Sequence, residues 1–180
     1  EYVIAFIGPT AEVINSMGKK SHARQTMMDA KVPVVPGTRE PVYDAETGEK
    51  FADEIGYPVM IKASSGGGGK GMRVAQSKDE FEFHFNMAQR ESANAFGDDT
   101  MYIEKYIENP RHVEIQIMAD NFGNVVALGE RDCSVQRNHQ KLIEESPSPA
   151  ITEKMRASMN HDAILAAKAV NYTNAGTVEF

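Results

Sequence analysis

The sequence predicts an α/β (α+β) fold, in which a small unit that could move as a lid is followed by an antiparallel hairpin. Three observations lead to this prediction. A glycine-rich segment at 66–71 lies between two short apolar runs that are typical of strands. Helix signals separated by turns occur on both sides of these runs. Further along, polar and apolar residues alternate strictly from 112 to 117, which indicates a strand with one buried face.

The composition fits one or two folded domains without a membrane span. The chain has 180 residues, of which 41% are hydrophobic and 25% are charged, and no apolar run approaches the ~20 residues of a membrane helix. The net charge of -7 disfavours a nucleic-acid surface, since a phosphate backbone selects clustered basic residues. We therefore expect no nucleic acid and no membrane among its partners. The single cysteine, Cys133, cannot form an internal disulfide and is expected to be a small buried residue.

Both ends of the chain are apolar and strand-like. Residues 2–7 and residues 176–180 are each typical of buried strands, whereas natural termini are more often polar. We expect that the chain is a piece of a longer polypeptide, truncated at both ends.

The elements before the glycine-rich segment follow from capping and turn signals. Thr10 is expected to cap a short helix that Gly18 ends, and a second helix should begin with Lys19-Lys20 and extend to about Ala30. The two prolines within 32–37 hold that stretch extended and mark a boundary between subdomains. A further helix is predicted at 47–55, before a Gly-x-Pro stop signal.

After the glycine-rich segment, two more helices and a hairpin are predicted. Ser77 and Glu80 have the spacing of a capping box at the start of a helix. The polar stretch 121–124 should form the turn of a β-hairpin. The last helix is predicted at 151–170, with Met155 among the apolar side chains expected to fill the core.

The glycine-rich segment has the composition of a phosphate-binding loop. Five of the six residues from 66 to 71 are glycine, so the backbone can approach a ligand closely and present several N–H groups to phosphate oxygens. A dinucleotide-binding loop opens into a helix, but a strand-like run follows here. A Walker A loop has Ser or Thr after Gly-Lys, but Gly71 follows Lys70.

Two further alternatives to a phosphate loop are weak. A flexible linker usually lacks strand-like flanks, and a protein kinase would carry H-R-D and D-F-G motifs that this sequence does not contain. The interpretation that remains is a glycine flap between two antiparallel strands, folded over a triphosphate. Lys62, on the strand before the flap, would supply a positive charge.

Other segments carry groups suited to a nucleotide. Lys19 and Lys20 at a helix start are either a solvated pair or the site of an anion, which helix N-termini prefer. The residues 104–107 end a strand-like run and could offer backbone groups to an adenine ring. If the hairpin pairs, the donors at 136–141 would lie beside the polar face formed by alternate residues of 112–116; an ordinary solvent-facing sheet is the alternative.

Glu179, in the last strand-like run, is a candidate magnesium ligand. Mg²⁺ is commonly bound through one or two carboxylates together with phosphate oxygens. An exposed strand carboxylate without a ligand is the alternative, because no second carboxylate is evident from the sequence.

Seven motifs extend over nearly the whole chain. They are F-I-G-P at 6–9, M-G-K-K at 17–20, I-G-Y-P-V-M-I-K-A at 55–63, G-G-G-G-K-G-M at 66–72, E-K-Y-I-E-N-P-R-H-V-E-I-Q at 104–116, E-R-D-C-S-V-Q-R-N-H-Q-K at 130–141 and G-T-V-E-F at 176–180. Together and in this order, they resemble the biotin carboxylase component of biotin-dependent carboxylases, a member of the ATP-grasp superfamily. The resemblance implies three parts: the end of an N-terminal, pre-ATP-grasp domain (1–36), the ATP-grasp lid subdomain with its glycine flap (37–106), and the first part of the C-terminal ATP-grasp subdomain (107–180).

The same resemblance implies a role for individual residues. The residues implied in ATP binding are Lys20, Lys62, Gly68 and Gly69 at the phosphates, Glu104, Lys105, Tyr106 and Ile107 at the adenine, and His112, Gln136 and His139 elsewhere on the nucleotide. Gln140 and Lys141 would hold bicarbonate. Glu179 would bind the metal ion, and Lys141 and Glu179 are the residues expected to be catalytic.

The implied activity is the ATP-dependent carboxylation of biotin on a carrier domain or protein, with bicarbonate as the carbon source and carboxyphosphate as the intermediate. The implied cofactors are ATP with Mg²⁺ or Mn²⁺, and the implied partners are the biotin carboxyl carrier, a carboxyltransferase component and a second copy in a homodimer. The implied location is the cytoplasm, or the mitochondrial matrix in a eukaryote.

Further residues that serve the metal, bicarbonate and biotin in this family lie beyond residue 180. We therefore expect the isolated chain to bind nucleotide weakly and not to turn over. Two alternatives stay open: another ATP-grasp carbon–nitrogen ligase of the carbamoyl-phosphate synthetase type, and a nucleotide-binding module without chemistry.

Overall fold

The computed structural model of the chain describes residues 6–18, 20–65, 71–138 and 140–180, without the side chains of Lys20 and Ser21. The predicted strand at 2–7 lies mostly outside these ranges. The chain divides into two compact units. One is Val35–Glu108, and the other combines the residues up to Val34 with Asn109–Phe180. The predicted division into three parts stays a prediction.

Helices and antiparallel strands make up both units. The helices are α1 (Ala11–Gly18), α2 (Lys20–Asp29), α3 (Ala45–Ile55), α4 (Lys78–Phe96) and α5 (Glu153–Ala169). The strands are β1 (Val59–Ala63), β2 (Met72–Ala75), β3 (Met101–Lys105), β4 (Val113–Ala119), β5 (Val125–Arg137), β6 (Gln140–Glu145) and β7 (Asn174–Glu179). The predicted mixed fold is confirmed.

The unit Val35–Glu108 has a three-stranded antiparallel sheet in the order β2-β1-β3. Helices α3 and α4 pack against each other and against this sheet. Phe81 and Phe85 of α4 are fully buried and meet Ile61 of β1 and Ile103 of β3 in one apolar core. The burial follows from the helical spacing of the phenylalanines, which places them on one face.

The other unit is built on a four-stranded antiparallel sheet in the order β6-β5-β4-β7. Ile115 and Ile117 of β4 pack against Ala163 and Ala167 of α5. This buried side is the apolar face that the alternation predicted, and it directs the intervening polar residues of β4 to the opposite face. The predicted hairpin turn is present, because Asp120 accepts hydrogen bonds from two backbone N–H groups of the turn before β5.

The starts of α3, α4 and α5 differ from the prediction. α5 begins at Glu153, two residues after the predicted start. α3 begins two residues early, because the Asp44 side chain accepts a hydrogen bond from the backbone N–H of Thr47 at 2.8 Å. The predicted capping box of α4 is wrong in its contacts. Ser77 is the N-cap residue but its side chain makes no capping hydrogen bond, and Glu80 accepts from the backbone N–H of Gln76 at 3.0 Å.

Helix α5 buries alanines of its later turns, while the methionine of its first turn is exposed. Met155 is 47% exposed, so the prediction that it fills the core is wrong, while Ala163 and Ala167 are buried. None of the helices in the described ranges has the length and hydrophobicity that a membrane crossing needs.

Candidate functional site

Polar side chains gather on one face of the β6-β5-β4-β7 sheet. Glu114 of β4 lies opposite Arg131 of β5 on one side and opposite Glu179 of β7 on the other. Lys141 of β6 lies opposite Gln136 of β5. Because neighbouring strands are only ~4.8 Å apart, this register brings charged groups from four strands into one cluster.

Glu114 is the buried centre of this cluster, with 3% of its surface exposed. Its Oε1 accepts a hydrogen bond from Arg131 Nε at 2.7 Å, and its Oε2 accepts one from the Lys141 ammonium at 2.5 Å. Burial acts to raise the pKa of the Glu114 carboxyl, but the hydrogen bonds from Lys141 and Arg131 outweigh it and hold the pKa below its ordinary value. Glu114 is therefore an anion that orients two cations.

Lys141 connects two carboxylates. Its Nζ donates to Glu114 and also to Glu179 Oε1, the second at 2.9 Å. The hydrogen bonds to Glu114 and then to Glu179 raise the pKa of the Lys141 ammonium, so it keeps its positive charge at neutral pH. A fixed, partly exposed ammonium of this kind suits a small anion.

Glu179 and His112 lie at the edge of the same cluster. The hydrogen bond from Lys141 lowers the pKa of the Glu179 carboxyl. His112 Nε2 lies 3.2 Å from Glu179 Oε1, close but without hydrogen-bond geometry. The amide of Gln136 donates to His112 Nδ1 at 2.8 Å and to the Cys133 carbonyl at 2.8 Å, which fixes the imidazole ring.

One carboxylate of the cluster fits a divalent cation. His112, Glu114 and Glu179 each place a ligand atom within 4.8 Å of the others. Both oxygens of Glu114 already accept from Arg131 or Lys141, so Glu114 is not free to coordinate. The contacts of Glu179 with Lys141 and His112 both use Oε1, which leaves Oε2 for a cation that also takes phosphate oxygens.

Lys62 lies in the unit Val35–Glu108, on the strand before the glycine-rich segment. Its ammonium forms an ion pair with the Glu104 carboxylate of the adjacent strand β3. The two side chains are 32% and 24% exposed. Lys62 is therefore held in one orientation while part of its side chain stays accessible.

The predicted adenine segment has few backbone donors left. The N–H of Lys105 donates to the Pro36 carbonyl at 2.7 Å, and the N–H of Tyr106 donates to the Pro58 carbonyl at 3.0 Å. The Lys105 ammonium is also occupied, by the carbonyl oxygens that precede Pro58. Within the described part of the chain, nothing accepts from the N–H of Ile107, so this amide is the donor best placed for a ring nitrogen.

The remaining predicted site residues divide into two groups. Gln140 is exposed at the start of β6, opposite Arg137. The other group lies outside the described residues: the side chain of Lys20, and Gly68, Gly69 and His139 in full.

Sequence reasoning did not assign a role to Glu114 or Arg131. The alternation around β4 placed Glu114 on the polar face of the strand, and this is the sequence feature that could have identified it as a site residue. Its burial was not foreseeable from the alternation, because the strands that cover it are distant in sequence.

Comparisons with known proteins were made for the whole chain. The family model of the carbamoyl-phosphate synthase L chain, ATP binding domain, matches residues 19–180. Biotin carboxylase from Nostoc sp. is 56% identical over 180 residues, which cover 100% of this chain and 40% of that protein.

Two solved structures are also similar. The crystal structure of a biotin carboxylase-β,γ-ATP complex from Campylobacter jejuni has a TM-score of 0.83 and 54% identity, covering 98% of this chain and 40% of that one. The biotin carboxylase domain dimer of Hydrogenobacter thermophilus 2-oxoglutarate carboxylase, in complex with MgADP, ADP and bicarbonate, has a TM-score of 0.81 and 46% identity, covering 98% of this chain and 39% of that one. The chain thus spans about two fifths of the length of these relatives.

Proposed function

Because this chain belongs to the family of carbamoyl-phosphate synthase L chain ATP-binding domains, an ATP-grasp family, we propose that it is the ATP-binding part of a biotin carboxylase. The proposed reaction is the carboxylation of biotin on a carrier protein, driven by ATP and using bicarbonate. The observation that carries this proposal is the identity of 46–56% to biotin carboxylases, which extends over 98–100% of this chain. The predicted resemblance is thereby confirmed, and the activity is proposed for the full-length protein.

The proposed chemistry brings two anions together. An oxygen of bicarbonate attacks the γ-phosphorus of ATP, an O–P bond forms, and the bond to ADP breaks. The resulting carboxyphosphate breaks into CO₂ and phosphate, the phosphate takes the proton of the ureido N–H of biotin, and that nitrogen bonds to CO₂. The attack needs positive charge close to both anions, since otherwise they repel one another.

Lys141 is the residue of this chain best suited to hold bicarbonate. Its ammonium is fixed between Glu114 and Glu179, and its raised pKa keeps it charged. Gln140, next to it at the exposed start of β6, is proposed as a second contact. Arg131 and Glu114 do not need to touch the substrate, because they set the position of the Lys141 ammonium.

The residues proposed to bind ATP are those that the motifs imply. Lys62 would neutralise a phosphate, and the N–H of Ile107, which has no acceptor among the described residues, would donate to the adenine. The neighbouring Glu104, Lys105 and Tyr106 would line the ring, and His112 with Gln136 would meet the ribose or phosphates. For Lys20, Gly68, Gly69 and His139, which lie outside the described residues or side chains, the proposal rests on the motifs alone.

A divalent cation is proposed to bind at Glu179 through the oxygen that Lys141 does not use. Mg²⁺ would neutralise the phosphate oxygens and orient the γ-phosphate when it is bound. Glu179 itself would fix the distance between this site and Lys141, because its two oxygens serve the two cations separately.

The proposal extends to partners and location with the same support. The carrier domain or protein would deliver biotin, and a carboxyltransferase component would use the carboxybiotin. A homodimer and a cytoplasmic location, or a mitochondrial one in a eukaryote, complete the proposal. The isolated chain is proposed to be inactive, since it spans about two fifths of its relatives.

The test uses the full-length protein in two measurements. Calorimetric titration of MgATP into wild type and Lys62→Ala should show at least tenfold weaker binding in the variant, because a desolvated charge contact is lost. Lys50→Ala is the matched control, since Lys50 is an exposed lysine whose side chain pairs with Glu46 among the described residues.

The second measurement is ATP cleavage that depends on free biotin and bicarbonate, which should occur in the wild type. Binding without such cleavage would favour a nucleotide-binding module, and cleavage that ignores biotin would favour another ligase.

A further inference from the structure

The backbone on each side of residues 66–70 is fixed to the same structural element. Helix α4 and the loop that follows it lie against β1 and β2, and they supply a carboxylate to each end of the glycine-rich segment. Neither carboxylate has a place in the proposed chemistry.

At the C-terminal end of the glycine-rich segment, Glu91 of α4 forms a hydrogen bond with Gly71. Glu91 Oε2 accepts from the backbone N–H of Gly71 at 3.2 Å and pairs with the Arg73 guanidinium at 2.8 Å. Gly71 has φ +69°, and a Cβ atom there would lie 2.8 Å from the Cβ of Ala63. The backbone of Gly71 is therefore fixed in a conformation and a space that suit glycine.

Directly before the N-terminal end of the segment, Asp98 forms a hydrogen bond with Ser65. The Ser65 hydroxyl donates to Asp98 Oδ2 at 2.5 Å, and the N–H of Ser64 donates to the Thr100 carbonyl at 2.8 Å. Asp98 is itself fixed, because its Oδ1 accepts from the N–H of Thr100 and its carbonyl accepts from the buried Ser92 hydroxyl. The two ends are also joined directly, since the N–H of Ala63 donates to the Gly71 carbonyl at 2.8 Å.

We infer that Glu91 and Asp98 are positioning residues for ATP binding, because they fix Gly71 and Ser65, the described residues on either side of 66–70. This inference rests on the proposed function of the glycine-rich segment. The geometry does not require either carboxylate to touch the nucleotide. Each carboxylate accepts from a donor at Gly71 or Ser65, which lowers the conformational freedom of these two residues.

The first test measures positioning without any reaction. In the full-length protein, amide hydrogen exchange in peptides that cover residues 71–75 should be about tenfold faster in Glu91→Ala than in wild type, as expected when a charge-assisted hydrogen bond is lost. Exchange in peptides of β3 should not change. Glu82→Ala is the matched control, because Glu82 is exposed on the same helix and its side chain makes no hydrogen bond or ion pair with a described residue. Equal exchange in wild type and Glu91→Ala would overturn the inference.

The second test measures the consequence for ATP. Glu91→Ala and Ser65→Ala should each raise the KM for ATP about tenfold, with kcat, the KM for bicarbonate and the melting temperature nearly unchanged. Glu91→Gln, which keeps an acceptor oxygen for the Gly71 N–H, should have a smaller effect than Glu91→Ala. An unchanged KM for ATP, or an equal rise in Glu82→Ala, would overturn the inference. If the wild type shows no biotin-dependent ATP cleavage, the proposed function fails, while the exchange measurement still decides whether Glu91 fixes the segment.

Discussion

The Lys141 ammonium lies 2.5 Å from Oε2 of Glu114, a carboxylate that is buried and also bound by Arg131. A buried carboxylate with two cationic partners is a fixed negative charge, and the partners of such a group cannot move without leaving it unpaired. Lys141 is therefore fixed in space by a residue that does not need to contact substrate. Two predictions follow from this cluster.

We predict that Glu114→Gln lowers kcat for biotin-dependent ATP cleavage at least tenfold. The amide keeps the size of the carboxylate but removes the charge that holds Lys141 and Arg131, so the ammonium moves away from its site. Unfolding in guanidinium chloride should show a stability loss of about 2 kcal/mol, because two partly buried cations lose their partner. Glu144→Gln is the control: Glu144 lies 3.4 Å from the same Arg131 but its side chain is 45% exposed. If Glu144→Gln and Glu114→Gln reduce kcat equally, the burial of Glu114 has no special role.

We predict that Glu179→Gln raises the Mg²⁺ concentration needed for half-maximal ATP cleavage about tenfold, because an amide oxygen is a weaker ligand than a carboxylate for a hard cation. The measurement is ATP cleavage against free Mg²⁺ at saturating ATP. Glu145→Gln is the control, since Glu145 is an exposed glutamate of β6. An unchanged Mg²⁺ dependence in Glu179→Gln would mean that this carboxylate does not hold the metal.

Local patterns were sufficient to predict the parts of the fold that depend on local spacing. The alternation around β4 predicted its buried and polar faces, and the spacing of Phe81 and Phe85 by four residues agrees with the buried face of α4. Both signals repeat within one element, so no knowledge of its neighbours is needed. Met155 followed the same helical period and was still predicted wrongly, because periodicity does not reveal which turns of a helix are covered.

The cluster around Glu114 needed information that a single sequence lacks. Lys141 is 27 residues from Glu114 and 38 residues from Glu179. The pairing of these residues depends on strand register, and register shifts occur within both the β4–β5 and the β5–β6 ladders. A shift of one residue would turn Lys141 to the other face of the sheet. The sequence shows which side chains can donate or accept hydrogen bonds, but it does not show which donor meets which acceptor across the strands.

We predict that Gly71→Ala destabilises the protein by about 3 kcal/mol and Gly97→Ala by about 1 kcal/mol, as judged by chemical denaturation. Both glycines have φ +69°, so a Cβ atom adds the same backbone strain at each. At Gly71 that atom would also lie 2.8 Å from the Cβ of Ala63, whereas at Gly97 no atom of the described residues beyond its chain neighbours lies within 4 Å of it. Equal losses of stability would show that the sheet at Ala63 yields to the added atom.

The last prediction concerns acid stability and the buried Glu130. This carboxylate is 3% exposed and accepts from Arg156 Nε at 2.8 Å and from the N–H of Ser148 at 3.2 Å. The hydrogen bond from Arg156 lowers the pKa of the Glu130 carboxyl below its ordinary value of 4.5. A carboxyl with a lowered folded-state pKa adds stability above pH 4.5, and this contribution is lost as the pH falls through the folded-state pKa.

We therefore expect Glu130→Gln to lose about 3 kcal/mol of stability at pH 7 and to depend less on pH than wild type between pH 5 and pH 3, as urea denaturation at several pH values would show. Glu153→Gln is the control, because Glu153 pairs with the same Arg156 guanidinium but its side chain is 91% exposed, so solvent already screens that pair. The stability of Glu153→Gln should match that of wild type at each pH. If Glu130→Gln keeps the full acid dependence of wild type, the protons that destabilise the fold bind elsewhere, and the lowered pKa of Glu130 does not set its acid limit.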